Sequence, residues 1–171
     1  GSCLYYIIYN HLFEYHYAWA HSSKILPVYY IISSFWEGQE GSFLLWMFWH
    51  LVIGAVIISI NDKFKLEVMA VIMVAEIWLN SMLLGIYLPF GEDLKIGSNP
   101  MMLIREITLA PIFNNADYLS LIQGRGLNPL LQNYWMTIHP PFIFAAFALS
   151  VVPFGYAVAA LRKGEYQDWL R

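Results

Sequence analysis

Three long apolar runs restrict what this chain can become. They are Ser42–Ile60 (SFLLWMFWHLVIGAVIISI), Leu66–Phe90 (LEVMAVIMVAEIWLNSMLLGIYLPF) and Pro140–Leu161 (PPFIFAAFALSVVPFGYAVAAL). As helices rising 1.5 Å per residue, the first covers about 28 Å and the second about 37 Å, so each reaches across a hydrocarbon core, the longer one tilted or broken near Pro89. The rest of the 171 residues cannot hide this surface: 59% of the chain is hydrophobic and only 12% charged, against about 25% charged in a soluble domain. Aromatics reach 18%, with seven Trp and twelve Tyr, a supply suited to the two interfacial belts. Net charge is −3, which excludes nucleic acid as an expected partner.

The expected architecture is an all-α integral membrane protein. It is a helical bundle fragment with three full transmembrane helices (42–60, 66–90, 140–161), a truncated N-terminal span, and a long extracytoplasmic loop (91–139) holding a short interfacial helix. The opening GSCLYYIIYN is too brief to span and lacks a basic n-region, so segment 1–41 reads as the end of a truncated span plus an outer-face stretch. Within the loop, SNPMMLIREITL reads as that helix, with Asn99 as cap and Pro100 at its first position. Tyr29–Trp36 (YYIISSFW) fits a helix or a strand. Lys63 and Lys65 fall in the short loop 61–65, and Arg162, Lys163 and Arg171 in the tail 162–171, whereas 91–138 holds only Lys95, Arg105 and Arg125. The positive-inside rule puts the short loop and tail in the cytoplasm, and the long loop and the segment before Ser42 outside.

His139 is the first candidate for chemistry. Pro140 biases it toward extended backbone, and Pro140 and Pro141 then suit the opening of a helix, where missing N–H groups cost little. An imidazole on such a shelf suits axial ligation of haem iron. A histidine hydrogen-bonded at the headgroup level satisfies the spacing at least as well. Trp36–Trp46 (WEGQEGSFLLW) is the second: Gly38 and Gly41 permit a tight turn or a flat ligand, with Glu37 and Glu40 solvated outside. The alternative is a helix start capped by Ser42, with its acids near the dipole. Gly124–Gln132 (GRGLNPLLQ) fails as a phosphate loop, because Pro129 stands where the third glycine belongs. It reads as a turn open to a planar ligand or a neighbouring loop, with Arg125 either solvated or facing a carboxylate such as a haem propionate.

Inside the apolar runs lie His50, Glu76 and Asn80, residues that are expensive there and usually paired or functional. His50 precedes Lys63 by as many residues as Glu76 follows it, so an antiparallel hairpin brings the two to one depth, with Asn80 a turn farther along. The alternative is that each faces another helix. Metalloprotease, serine hydrolase and Walker motifs do not occur, and the single Cys3 excludes an internal disulfide or a thiolate zinc site.

Two blocks, His21–Trp46 (HSSKILPVYYIISSFWEGQEGSFLLW) and Gly124–Leu161 (GRGLNPLLQNYWMTIHPPFIFAAFALSVVPFGYAVAAL), resemble CcmF-type cytochrome c haem lyases. These are membrane subunits of bacterial System I maturation, within the haem-handling superfamily that also contains CcmC and CcsA. Gly91–Leu121 departs and reads as an insertion, and the family often has His where Gln39 stands. The resemblance implies that His139, in its HPP motif, is the first of two outer-face haem ligands. Around it, Trp36, Gly38, Gln39, Glu40, Gly41, Arg125, Gly126, Asn128, Tyr134, Trp135, Pro140 and Pro141 make up the implied haem-binding surface. Trp36, Tyr134 and Trp135 either stack on the macrocycle or anchor the interface.

Implied partners are the haem chaperone CcmE, apocytochrome c with its CXXCH peptide, and a CcmH-like thiol-reducing subunit, beside membrane lipid. The implied location is the bacterial inner membrane with a periplasmic working face, a mitochondrial one being second. The family's WWD motif, second outer histidine and two membrane histidines do not occur here, and His50 does not match the latter. The chain is thus expected to be a fragment that supplies at most one haem ligand. Rival expectations are a piece of an ion or small-molecule transporter using His50, Glu76 and Asn80, and a structural subunit of a respiratory complex.

Overall fold

A computed structural model describes residues 1–60, 63–87 and 95–165. Parts of the expected segments 61–65, 66–90, 91–139 and 162–171 therefore lie outside the described residues. Among those described, the order is α1 (Ser2–Tyr9), α2 (His16–His21), α3 (Val28–Glu37), α4 (Gln39–Ser59), α5 (Lys65–Leu84), β1 (Ile86–Tyr87), β2 (Lys95–Ile96), α6 (Ile104–Ile107), α7 (Tyr118–Leu121) and α8 (Tyr134–Lys163).

Helices α4, α5 and α8 are long and apolar enough to cross a membrane. They pack on one another around Ile53, Ile57, Phe64, Val68, Ile72, Ala148 and Ala159, with α4 and α5 forming an antiparallel hairpin. Their other sides expose large apolar groups such as Leu51, Val56, Ile58, Ile77 and Trp78, as lipid-facing helices do. Lys63, Lys65, Arg162 and Lys163 lie together at one end. Lys163 Nζ lies 3.2 Å from a Glu67 carboxylate oxygen and also donates to the Lys63 carbonyl, while Lys63 pairs with Glu165.

The opposite end is a compact cap. Leu4, Ile8, Tyr17, Leu26, Ile31 and Leu127 form one cluster, and Ile7, Phe13, Ala18 and Ile122 another. The 95–133 stretch is stitched to the first helices by backbone hydrogen bonds. His16 N–H donates to Met102 O (2.9 Å), Ile104 N–H to Glu14 O (2.8 Å), Arg125 N–H to Trp19 O (2.8 Å) and Gly126 N–H to Ser22 O (3.0 Å).

Several local outcomes differ from the sequence-based expectation. Tyr29–Trp36 is helical, within α3. The expected helix from Asn99 shrinks to α6: Asn99 Oδ1 accepts the Met101 N–H (2.9 Å) and caps a turn, while Glu106 accepts the Leu103 N–H (3.1 Å) at the true start. Helix α5 ends at Leu84, ahead of Pro89, with Gly85 as its left-handed cap. Ile86–Tyr87 and Lys95–Ile96 pair antiparallel, a small ladder that apolarity alone does not announce. Most consequential, α8 starts at Tyr134 rather than Pro140, because Asn133 Oδ1 accepts the Met136 N–H (3.1 Å) and caps the helix earlier.

Candidate functional site

The Trp36–Ser42 block is a bracket between two helices. Gly38 is the single break between α3 and α4. The Tyr17 hydroxyl accepts the Gly38 N–H (3.0 Å) and donates to Phe35 O (2.9 Å), which ties α2 into the corner. Its burial pushes the phenol's pKa well above the ordinary value. No side chain fits here: a Cβ on Gly41 would stand 1.5 Å from Phe35 O, and one on Gly38 2.6 Å from the Tyr17 ring. The glycines thus serve the approach of the protein's own backbone and Tyr17. Ser42 Oγ donates to Trp36 O (2.8 Å) instead of capping α4. Gln39 is exposed and Glu40 half-buried.

Glu37 is not solvated. Its side chain is only 10% exposed, because one carboxylate oxygen lies 2.9 Å from His21 Nδ1 and the other accepts the Asn128 N–H at 3.2 Å. One residue therefore joins α2, α3 and the turn leading to α8. Asn128 Oδ1 accepts the Leu130 N–H (3.0 Å). At Gly124 a Cβ would meet Ser22 O at 1.9 Å, so the neighbouring loop occupies the approach. Arg125 lies over Trp19, 5.5 Å from the ring centroid, a cation–π contact. Nearby His16 has its pKa lowered, first by burial and then by His21, with Glu40 opposing and Arg125 adding.

His139 stands inside α8, as its sixth residue, instead of in extended backbone ahead of the helix. Pro140 and Pro141 follow it within the helix, so the carbonyls of Met136 and Thr137 lose their usual i+4 donors. Met136 O instead accepts the Trp36 indole N–H at 2.9 Å, and Thr137 Oγ1 meets Ser33 Oγ at 2.8 Å. The His139 side chain is exposed. Trp135, one turn earlier, and Phe142, one turn later, are 70% and 71% exposed, so an imidazole lies in an open aromatic stripe. Tyr134 and Trp135 stack edge-on with centroids 5.6 Å apart. The structure thus brings His139, Trp36, Gly38, Gly41 and Asn128 into one connected end of the bundle. It commits Trp36 to α8 through its N–H and leaves Tyr134 and Trp135 open.

Within the spans, His50 Nδ1 lies 2.7 Å from Glu76 Oε1, the contact the hairpin spacing predicts. His50 is 1% exposed, and its Nε2 finds no hydrogen-bond partner among the described residues. Asn80 donates to the Glu76 backbone carbonyl (2.9 Å) and is exposed. Among the described residues no group of three or more His, Cys, Asp or Glu side chains converges to hold a metal ion. Tyr17, His21, Ser33 and Thr137 were absent from the sequence-based set. Prolines inside a helix would have signalled an unmet acceptor at Met136, but with the pair placed at the helix opening that signal was hidden.

Three membrane-length helices, capped at one end by short helices that brace an exposed imidazole, define a multi-pass helical membrane protein with one elaborated face. A profile of the family described as Cytochrome C assembly protein matches residues 36–169. The chain belongs to that family. It is 31% identical over 171 residues to the cytochrome c-type biogenesis protein CcmF of Pseudomonas fluorescens, covering 99% of this chain and 23% of that protein. It is 29% identical over 172 residues to CcmF of Haemophilus influenzae (99% of this chain, 24% of that protein). Against the cytochrome c-type biogenesis protein CycK of Bradyrhizobium diazoefficiens it is 28% identical over 156 residues (89% and 20%). The chain thus spans about a fifth to a quarter of the length of these relatives. No solved structure matches it.

Proposed function

We propose that this chain is the part of a cytochrome c haem lyase that presents one axial imidazole, His139, to haem at the non-cytoplasmic face of a bacterial inner membrane. The observation that carries the reading is the exposed His139 on α8, set between the exposed Trp135 and Phe142. A neutral imidazole ligates haem iron, and flanking aromatics suit a flat apolar macrocycle. The donor set fits one side of haem only, so a second ligand comes from elsewhere in the assembly. Gathering of Lys63 and Lys163 at the far end supports the orientation.

In this reading haem is the substrate and arrives from the chaperone CcmE. Haem supplies the vinyl groups to which the two thiols of a CXXCH peptide in apocytochrome c add. The chain's own contribution is to bind and orient. His139 fixes the distance and tilt of the macrocycle, and Trp135 and Phe142 exclude water from its edge. Such positioning contributes several kcal/mol to an addition of this kind. In the same reading the reacting thiols are the substrate's, kept reduced by a CcmH-like partner.

The test is H139A in the intact protein, purified with the haem chaperone. Loss of haem loading, or a changed absorption spectrum of the haem that remains, is the expected result. Unchanged loading with an unchanged spectrum overturns the assignment.

A further inference from the structure

We infer that Trp36 is a positioning residue for His139, acting through the helix carbonyl that Pro140 leaves without a donor. The inference rests on the haem-ligand reading only for its functional consequence; the clamp itself stands on the geometry of α3 and α8.

In an α-helix the N–H of residue i+4 satisfies the carbonyl of residue i. Pro140 has no N–H, and its ring pushes against the Met136 carbonyl, turning it away from the helix axis. A turn opened in this way has lost the bonds that fix its rotation, and His139 sits in that turn. One residue of α3 replaces the donor that Met136 O has lost, and a second adds a side-chain tie beside it. The Trp36 Nε1–H donates to Met136 O at 2.9 Å, and one turn earlier Ser33 Oγ meets Thr137 Oγ1 at 2.8 Å. Both ties are short and both leave the same face of α3, so they set the azimuth of α8 as well as its distance.

Trp36 can hold α8 because it is itself held. Its carbonyl accepts Ser42 Oγ–H at 2.8 Å, and Gly38, two residues on, is pinned by Tyr17 (3.0 Å). With Met136 and Thr137 facing α3, His139 lies about 110° around the helix from their mean direction, at roughly 100° per residue. This is the open side on which Trp135 and Phe142 are exposed. The clamp therefore turns the imidazole outward. If the turn relaxed, α8 could rotate or unwind locally and the imidazole would lose its fixed aim. Trp36 is thus assigned to the second tier of the site: it touches the helix that carries the ligand, and its N–H is spent there instead of on a bound macrocycle.

The double change with Pro140 isolates this mechanism. W36F keeps an aromatic ring and removes the N–H. P140A returns a backbone N–H to Met136 O and makes the indole donor dispensable. In the haem-free intact protein, W36F is expected to speed hydrogen exchange at the amides of residues 136–139 by about fivefold, the equivalent of one ordinary hydrogen bond. It is also expected to weaken hemin binding by a similar factor and to shift the electron paramagnetic resonance g-values of the bound ferric haem. In the P140A background the same W36F change is expected to move neither exchange nor affinity appreciably.

Unchanged exchange and unchanged g-values in W36F overturn the inference. So does a W36F penalty that is as large in the P140A background as in the parent. Where W36F lowers the yield of folded protein, S33A reads the same turn, with a smaller acceleration expected at the same amides and none overturning the clamp. Hemin binding of unchanged affinity and unchanged spectrum in H139A overturns the haem-ligand reading alone, and hydrogen exchange then decides the clamp by itself.

Discussion

His50 and Glu76 show how much a single pair can be read from spacing and how little spacing says about worth. They meet at 2.7 Å because a hairpin centred on Lys63 brings equal offsets to equal depth. His50 is 1% exposed and Glu76 18%, so loss of one partner strands the other in an apolar surround. H50A is therefore expected to cost about 3–5 kcal/mol of stability, and the double change H50L/E76L to be near neutral or stabilising. Unfolding free energies in mixed micelles check both, and a double variant as damaged as the single one would contradict the pairing account. Glu37 is the opposite lesson. An acid next to a glycine turn reads as solvated, yet its oxygens meet His21 and the Asn128 N–H. Both partners belong to distant segments that no local pattern names.

At the scale of elements, the long helices were legible and the corners were not. Apolar runs of membrane length produce α4, α5 and α8 with or without help from neighbours. The ends moved because caps, not hydropathy, decide them: Asn133 starts α8 before the prolines, and Gly85 stops α5 before Pro89. The proline pair suggested a helix start, since prolines are cheap there. The structure tolerates them inside the helix because α3 supplies the donor that Met136 needs. The α3–α4 corner depends on the absence of a side chain at Gly41, where a Cβ would stand 1.5 Å from Phe35 O. G41A is expected to destabilise the fold by about 3 kcal/mol or more, the upper end for overpacking. A melting temperature within a degree or two of the parent would show that the corner opens freely.

For the whole molecule, the two ends of the bundle differ in kind. One is a charged rim of Lys63, Lys163, Glu67 and Glu165; the other is an aromatic cap assembled from α1–α3 and the 95–133 stretch. With the rim on the cytoplasmic side, a cysteine placed at Asn128 in a C3S background is expected to react with a membrane-impermeant thiol reagent added outside intact spheroplasts. One at Glu165 is expected to react only after lysis. The reverse pattern would invert the proposed working face. Fold class was readable from sequence because it is written in contiguous apolar residues. The cap was not, since its bonds join positions about a hundred residues apart, such as Arg125 with Trp19 and Gly126 with Ser22. That separation has a consequence in time. During synthesis residues 14–22 emerge long before the stretch 102–126 that will close over them. They must wait, unsealed, through the insertion of the α4–α5 hairpin until residue 126 has followed. Any chaperone that shelters this nascent region acts before α8 is made.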